Sequence, residues 1–499
     1  MPFSRRRLTR FWTTSKLFFA ASQLAAFEVL RPLGLRHHPV FTNHLMLNKM
    51  TNYLPRLLSG VLCLALVAIL PVRSPAQTAA EPERETLLNG LRILYWGQPG
   101  NPDVFLRLRI HSGAAFDLAD KGGMMALLGD ALFPDRSTRE YVSDELGGRL
   151  EVTTTFDTID VTISGKAANL ERMIDLLRGA VMTTQLGAEN IATLKEARIK
   201  SFAEQTSSAS SLADQAITTR LFGSFPYAHP TAGTTVSVSK IERGDLMSAR
   251  ERFLNSDNAT VAVVCGVEKS RLMRALRQLL GPWGKSDKTI PATFRQPSAP
   301  NPQILILDRP ASSTAEIRLA VRGLARADND VLPAELLALV ARNLWQTALP
   351  ELSNVVVRHE AHLLPGMFLF SATAPQASAA KAVSAAQDIM RKLSQAAPPA
   401  DEFERARTAL AAQMSQQLSQ PAGLAGAWLD VDTFKSPRPN TVSTLIRSYT
   451  PGDVQRVATR LFKDAPVATI VLGNAEQLKA QFQGNIETRA NTLTPPAKP

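Results

Sequence analysis

Histidine, cysteine and carboxylate side chains are the groups that ligate metals or act as nucleophiles and bases near neutral pH. Beyond residue 76 the chain has only four histidines, His111, His229, His359 and His362, and one cysteine, Cys265. The run His359-Glu360-Ala361-His362 has the residue types of a ligand cluster. On a helix, positions i and i+3 would share a face. Here the run follows Asn354 to Val357 and precedes Leu363-Leu364-Pro365-Gly366, which reads as a strand end entering a turn, where i and i+3 point to opposite faces. A polar strand end is therefore expected rather than a metal site. Cys265 closes the apolar run 259–265, a buried strand by pattern, and is expected to be a core thiol. His229, in the loop Tyr227-Ala228-His229-Pro230, is placed where it could touch a peptide. The loop glycines Gly147 and Gly148 would permit close backbone approach. There is no glycine-rich phosphate loop, nucleotide fingerprint or basic stripe with interleaved aromatics.

The formal net charge of +12 points first to a polyanionic partner. Its distribution removes that reading. Ten of the 56 Lys/Arg and one of the 44 Asp/Glu lie in residues 1–76, so the remainder is close to neutral and no nucleic-acid partner is expected. From Met50 the chain has one basic residue, Arg56, an apolar stretch from Leu57 to Leu70, then small residues at Ser74 and Ala76. This is the three-part pattern of a secretory signal, with cleavage expected near Ala76. The stretch falls short of the roughly 20 residues that span a bilayer. The expectation is a soluble, periplasmic or otherwise exported product without a stable membrane span. Residues 1–49 read as an overlong gene start or a long leader.

The elements that must position these groups fall into two sets. Residues 91–110 open with strand-like runs in which Val104, Leu106, Leu108 and Ile110 alternate with Phe105, Arg107 and Arg109. The pattern then predicts a helix from Gly122 to Phe133, strands 149–155 and 158–164, a helix marked by Leu170, Met173, Ile174, Leu177 and Val181, helices near 188–205, 209–222 and 243–254, strand 259–265 and helix 270–280. After the proline-rich stretch 284–302 the order recurs, with helices expected at 331–348, 377–396 and 401–418. The segments 244–266 and 452–473 both set Gly-Asp at a helix start, Ala-Thr at a strand start and Gly at the strand end. The fold class expected is α+β: two homologous α/β sandwich halves, 85–283 and 303–480, joined by the linker 284–302 and followed by a disordered tail, 481–499.

Several motifs in this order, TLLNGLRIL (86–94), HSGAAFDLADKGG (111–123), LGGRLEVTTTFDTIDVTISG (146–165), the run 225–266 and DRPASSTAEIRLAV (308–321), make the chain resemble the insulinase and mitochondrial processing peptidase (pitrilysin-type) family of zinc peptidases. The resemblance covers about 85–475. It implies a helix carrying His-x-x-Glu-His, two imidazoles holding zinc and a Glu activating water, with a distal Glu completing the metal shell. Counted from Gly122, those positions fall on Met125, Leu128 and Gly129; a one-residue shift gives Ala126, Gly129 and Asp130. Thioether and aliphatic groups do not hold Zn²⁺ in such a site, so no metal cofactor is expected. Glu196 and Glu204 lie on the helix that would supply the distal ligand and read as surface residues. The family's second-half Tyr also has no counterpart in 344–366, and Arg358 is unsupported as its Arg.

The resemblance thus implies a non-catalytic member: a chamber-forming or substrate-holding partner of a zinc-bearing homologous subunit in a heterodimer, acting on peptide or unfolded polypeptide. Gly147, Gly148 and His229 are the candidate substrate-binding residues. The alternatives are a stand-alone periplasmic binding or scaffold protein and, last, a peptidase with residual metal-dependent activity.

Overall fold

The computed structural model describes residues 80–490 except 207, 289–293, 483 and 485. The expected leader and signal, and residues 491–499, lie outside the described residues. The first half runs β1 (Glu83–Thr86), β2 (Arg92–Gly97), β3 (Asp103–Ile110), α1 (Met124–Ala131), α2 (Arg136–Asp144), β4 (Arg149–Thr154), β5 (Ile159–Lys166), α3 (Leu170–Arg178), α4 (Ala188–Thr206), α5 (Ala209–Phe222), α6 (Thr235–Ser239), α7 (Arg243–Phe253), β6 (Ala259–Cys265) and α8 (Lys269–Leu280). The second runs β7 (Ile304–Asp308), β8 (Thr314–Arg322), α9 (Val331–Ala348), β9 (Ser353–Glu360), β10 (Met367–Pro375), α10 (Ala379–Gln395), α11 (Ala400–Ser419), α12 (Pro421–Phe434), α13 (Pro439–Ser448), α14 (Pro451–Phe462), β11 (Ala468–Gly473), α15 (Ala475–Lys479) and β12 (Ile486–Ala490).

Each half forms one six-stranded sheet, in the orders β1-β2-β6-β3-β5-β4 and β12-β7-β11-β8-β10-β9. Apart from the first strand of each list, the two orders are the same path through equivalent strands. β2 and β7 run parallel to β6 and β11, while β3 and β8 run antiparallel to both their neighbours. The outer edges are filled differently. β1 precedes β2 and pairs antiparallel with it, whereas β12 comes from the chain's far end and pairs parallel with β7. Residues 486–490, expected in an unstructured tail, are thus a strand. They cover the otherwise open edge of β7, and Ile486 packs against the second core.

One face of each sheet carries its own helices. Val104, Leu106, Leu108 and Ile110, the alternation visible in the sequence, point into the first core with Met124, Leu127 and Leu128 of α1 and Leu170, Met173 and Ile174 of α3. The other face of each sheet is closed by a helix from the opposite half. α5 lays Leu212, Ala213, Ala216, Ile217 and Leu221 on Leu305, Leu307, Ile470 and Leu472 of the second sheet. In return, α12 lays Leu424, Ala425, Trp428 and Leu429 on Leu94, Trp96, Ala262 and Val264 of the first.

Polar pairs rivet the same seam. Arg109, 6% exposed, meets Asp160 of its own sheet at 2.8 Å and Asp430 of α12 at 2.6 Å. Arg318, 1% exposed, reaches Asp214 and Ser210 of α5 at 2.5 and 2.6 Å. Buried guanidinium groups of this kind require such partners, because an unpaired charge in the interior costs several kcal/mol. α2, α6, α12, α13 and α15 are helices for which the sequence pattern sets no expectation.

Candidate functional site

α1 is the helix on which the family resemblance would place zinc. Gly123 opens it with φ +92°, a conformation for which glycine is suited, and a Cβ there would come within 2.6 Å of the Ala232 carbonyl. Its first N–H groups are satisfied from a distance. The Asp117 carboxylate accepts from Gly123 N at 2.6 Å and Met125 N at 2.7 Å. Burial nonetheless pushes the Asp117 carboxyl up to about 7, against the lowering effect of those N–H donors. Met125, Leu128 and Gly129 all face the core. Gly129 sits so close to the sheet that a Cβ would lie 2.8 Å from Thr154 Oγ1 and 3.4 Å from Val152 Cγ1. Asp130, the one carboxylate of the helix, is held by Arg198 of α4 at 2.6 Å. Glu196 and Glu204 on α4 are exposed. Zinc does not fit this helix. The positions lack donors, and the space one imidazole would need is filled by strand β4. Among the described residues no group of three or more His, Cys, Asp or Glu is gathered as a metal ion requires.

The same strand offers a different feature. β4 is the edge of the first sheet and pairs only with β5. Beside it runs an open groove of about 690 Å³, lined by Arg139 and Ser143 of α2 and by Gly148 to Thr153. Arg149, Glu151 and Thr153 are exposed along it, with Arg149 and Glu151 paired at 2.6 Å. Arg139 donates to the Phe133 carbonyl at 3.1 Å, which fixes it at the groove's wall. Gly147 takes φ +64°. Gly148 is required for a closer reason: a Cβ there would be 1.9 Å from the Ser164 carbonyl. The close backbone approach expected of this pair is thus made to the chain's own β5.

His229 lies away from that groove. It is partly buried, with Nδ1 3.2 Å from the Pro230 carbonyl and its ring 6.3 Å from that of Phe156. Its neighbour Tyr227 belongs to a network for which the sequence carries only the turn Phe156-Asp157 as a signal. The Tyr227 hydroxyl donates to Asp157 Oδ1 at 2.9 Å and accepts from Leu364 N at 3.1 Å. Leu363 N donates to Asp157 Oδ2 at 3.0 Å. The network therefore joins the first half to the turn after β9. His362 stacks near Tyr227, ring centroids 4.7 Å apart, and burial pushes it down to about 4. His359, on β9 as the pattern implied, accepts from Leu324 N at 2.9 Å and is also pushed down to about 4 by burial. Arg358 pairs with Glu360. Cys265 is a buried free thiol.

The peptidase M16 inactive-domain model matches residues 240–410. An uncharacterized zinc protease of Mycobacterium bovis is 25% identical over 219 residues, 42% of this chain and 50% of that protein. The chain thus spans about half the length of the curated relatives it matches. Among solved structures, a peptidase M16 inactive domain from Pseudomonas fluorescens aligns with TM-score 0.70 and 18% identity over 79% of this chain and 98% of that one. A chain of complex III2 from Candida albicans aligns with TM-score 0.68 and 14% identity over 79% and 97%.

Residues 240–410 are thus similar to the peptidase M16 inactive domain, and the fold is that of the solved M16 structure. The segment matching the M16 model begins just before α7, crosses the connection between the halves and ends within α11. It takes in most of the second sheet and leaves out α1 and the β4 groove. No helix among the described residues is long and apolar enough to cross a membrane.

Proposed function

We propose that this chain is an exported, non-catalytic subunit that holds extended peptide for a zinc-bearing homologous partner and forms part of the wall of a shared chamber. The observation that carries the reading is the pairing of a filled metal position with an open edge: α1 packs Gly129 against β4, while the free side of β4 borders a 690 Å³ groove. A strand edge presents unpaired N–H and C=O groups, and an extended peptide binds there by adding a strand. Gly147 and Gly148 act by setting the path into β4, and His229 by supporting the wall behind Phe156. The export reading rests on the signal-like stretch after Met50.

The test is reconstitution. The purified chain is mixed with an M16 homologue of the same genome that carries His-x-x-Glu-His, and complex formation and peptide hydrolysis are measured. The expected outcome is a one-to-one complex whose hydrolysis exceeds that of the homologue alone. Ser143→Trp, which fills the groove, should leave the complex intact and raise KM for peptide. A chain that stays monomeric and adds nothing to hydrolysis is instead a stand-alone binding protein.

A further inference from the structure

The reciprocal placement of α5 and α12 carries an inference independent of peptide binding. Each sheet lacks one layer that its own half could supply. Without α12, the first sheet would leave Leu94, Trp96, Ala262 and Val264 uncovered; without α5, the second would leave Leu305, Leu307, Ile470 and Leu472 uncovered. An apolar sheet face of that kind is unstable in water. The polar contacts are equally divided between the halves. Arg109 depends on Asp430, Arg318 on Asp214 and Ser210, and Asp432 of α12 accepts from Thr260 at 3.1 Å and lies 3.4 Å from Arg92. Arg220 of α5 meets Glu487 of β12 at 2.5 Å and the Gln303 carbonyl at 2.7 Å. Asp157 and Tyr227 bond the backbone of Leu363 and Leu364. Buried apolar surface, paired buried guanidinium groups and backbone hydrogen bonds together are what obligate interfaces are made of.

We infer that the two halves are obligate binding partners whose association does not need the covalent connection between them, so that a chain severed in 284–302 persists as a specific two-chain complex. Among its described residues, the connecting segment bonds Ser256 and Asp257 of the first half through Gly284, Ser286 and Asp287, sets Phe294 5.9 Å from the Phe116 ring and 6.2 Å from the Phe225 ring, and offers Arg322 of the second half the carbonyls of Pro297 and Ser298. The tether supplies effective concentration, and an interface of this type binds without it.

The experiment inserts a protease recognition sequence between Arg295 and Gln296, both exposed, in the full chain. The uncut protein serves as the folding control. After cleavage, the fragments should co-elute at the uncut volume in both low and 1 M salt, and remain together on dilution to about 10 nM, as expected for an affinity tighter than about 1 nM. Ala216→Glu, placed where α5 meets the second sheet, should leave the uncut chain folded but weaken the cut pair at least tenfold. Two results overturn the inference: wild-type fragments that separate or aggregate once cut, or cut Ala216→Glu fragments that stay together as tightly as the wild type.

Discussion

Gly129 shows how one residue can decide whether a site exists. In a helix interior, Gly→Ala ordinarily gains about 0.5–1 kcal/mol. Here the added methyl would meet Thr154 Oγ1 at 2.8 Å, with Val152 and Ile159 flanking it. The expected sign is therefore reversed: Gly129→Ala should destabilise by about 1–3 kcal/mol in chemical denaturation, and Thr154→Ala should restore most of the loss. For the same reason, a Met125→His, Leu128→Glu, Gly129→His triple variant should fail to hold stoichiometric zinc in elemental analysis. Glu335 on α9 gives a pH test. It is partly buried with Oε2 shielded from solvent and unpartnered, and burial pushes its carboxyl up to about 7. A raised acid binds its proton more tightly in the folded state, so folding loses stability as pH climbs from about 4.5 to 7 and stays flat above. Glu335→Gln should thus be more stable than wild type by about 1–3 kcal/mol at pH 7.5 and no more stable at pH 4. Equal gains at both pH values would show that ionisation is not the cause. His359 and His362, pushed down to about 4, act with the opposite sign, costing stability as pH falls from 6.5 toward 4. At this scale the sequence was informative about absence. That Met125, Leu128 and Gly129 offer no metal donor could be read directly, as could the strand setting of His359. The steric closure by Thr154 could not, because it depends on how far α1 settles onto β4.

Among the elements, α1, β4 and β5 were legible because each has a strong period or a clear turn, and their observed bounds differ from the pattern by at most two residues. α12 was not. Its sequence, PAGLAGAWLDVDTF, mixes two glycines with acids, and its buried residues are Leu424, Ala425, Trp428, Leu429 and Phe434. Asp432 meets Arg84 and Arg92 of the other half, and Asp430 meets Arg109 there as well as Arg326 of its own half, partners that no local window contains. Gly426 is equally non-local: a Cβ there would lie 2.9 Å from Arg107 Nη1. Trp428 is fully buried in this contact. Trp428→Ala should cost about 3–5 kcal/mol, read as a lowered thermal midpoint, with both sheets losing order together because α12 ties them. A variant that loosens only the second half would contradict the seam as described.

For the whole molecule, the sequence repeat at 244–266 and 452–473 announced the duplication, and the two strand orders bear it out. What the repeat could not reveal is that the copies are interlocked, since an exchanged helix leaves the same one-dimensional pattern as a helix kept at home. Nor could it reveal β12, whose partner β7 lies far away in the chain. The interlock also has a consequence in time. A chain delivered N-terminus first completes β6 at Cys265 long before α12 ends at Phe434. At about 5–20 residues per second of synthesis, the first sheet waits on the order of 10–30 s with one apolar face bare. Until then the newborn half is a client for whatever chaperone meets it.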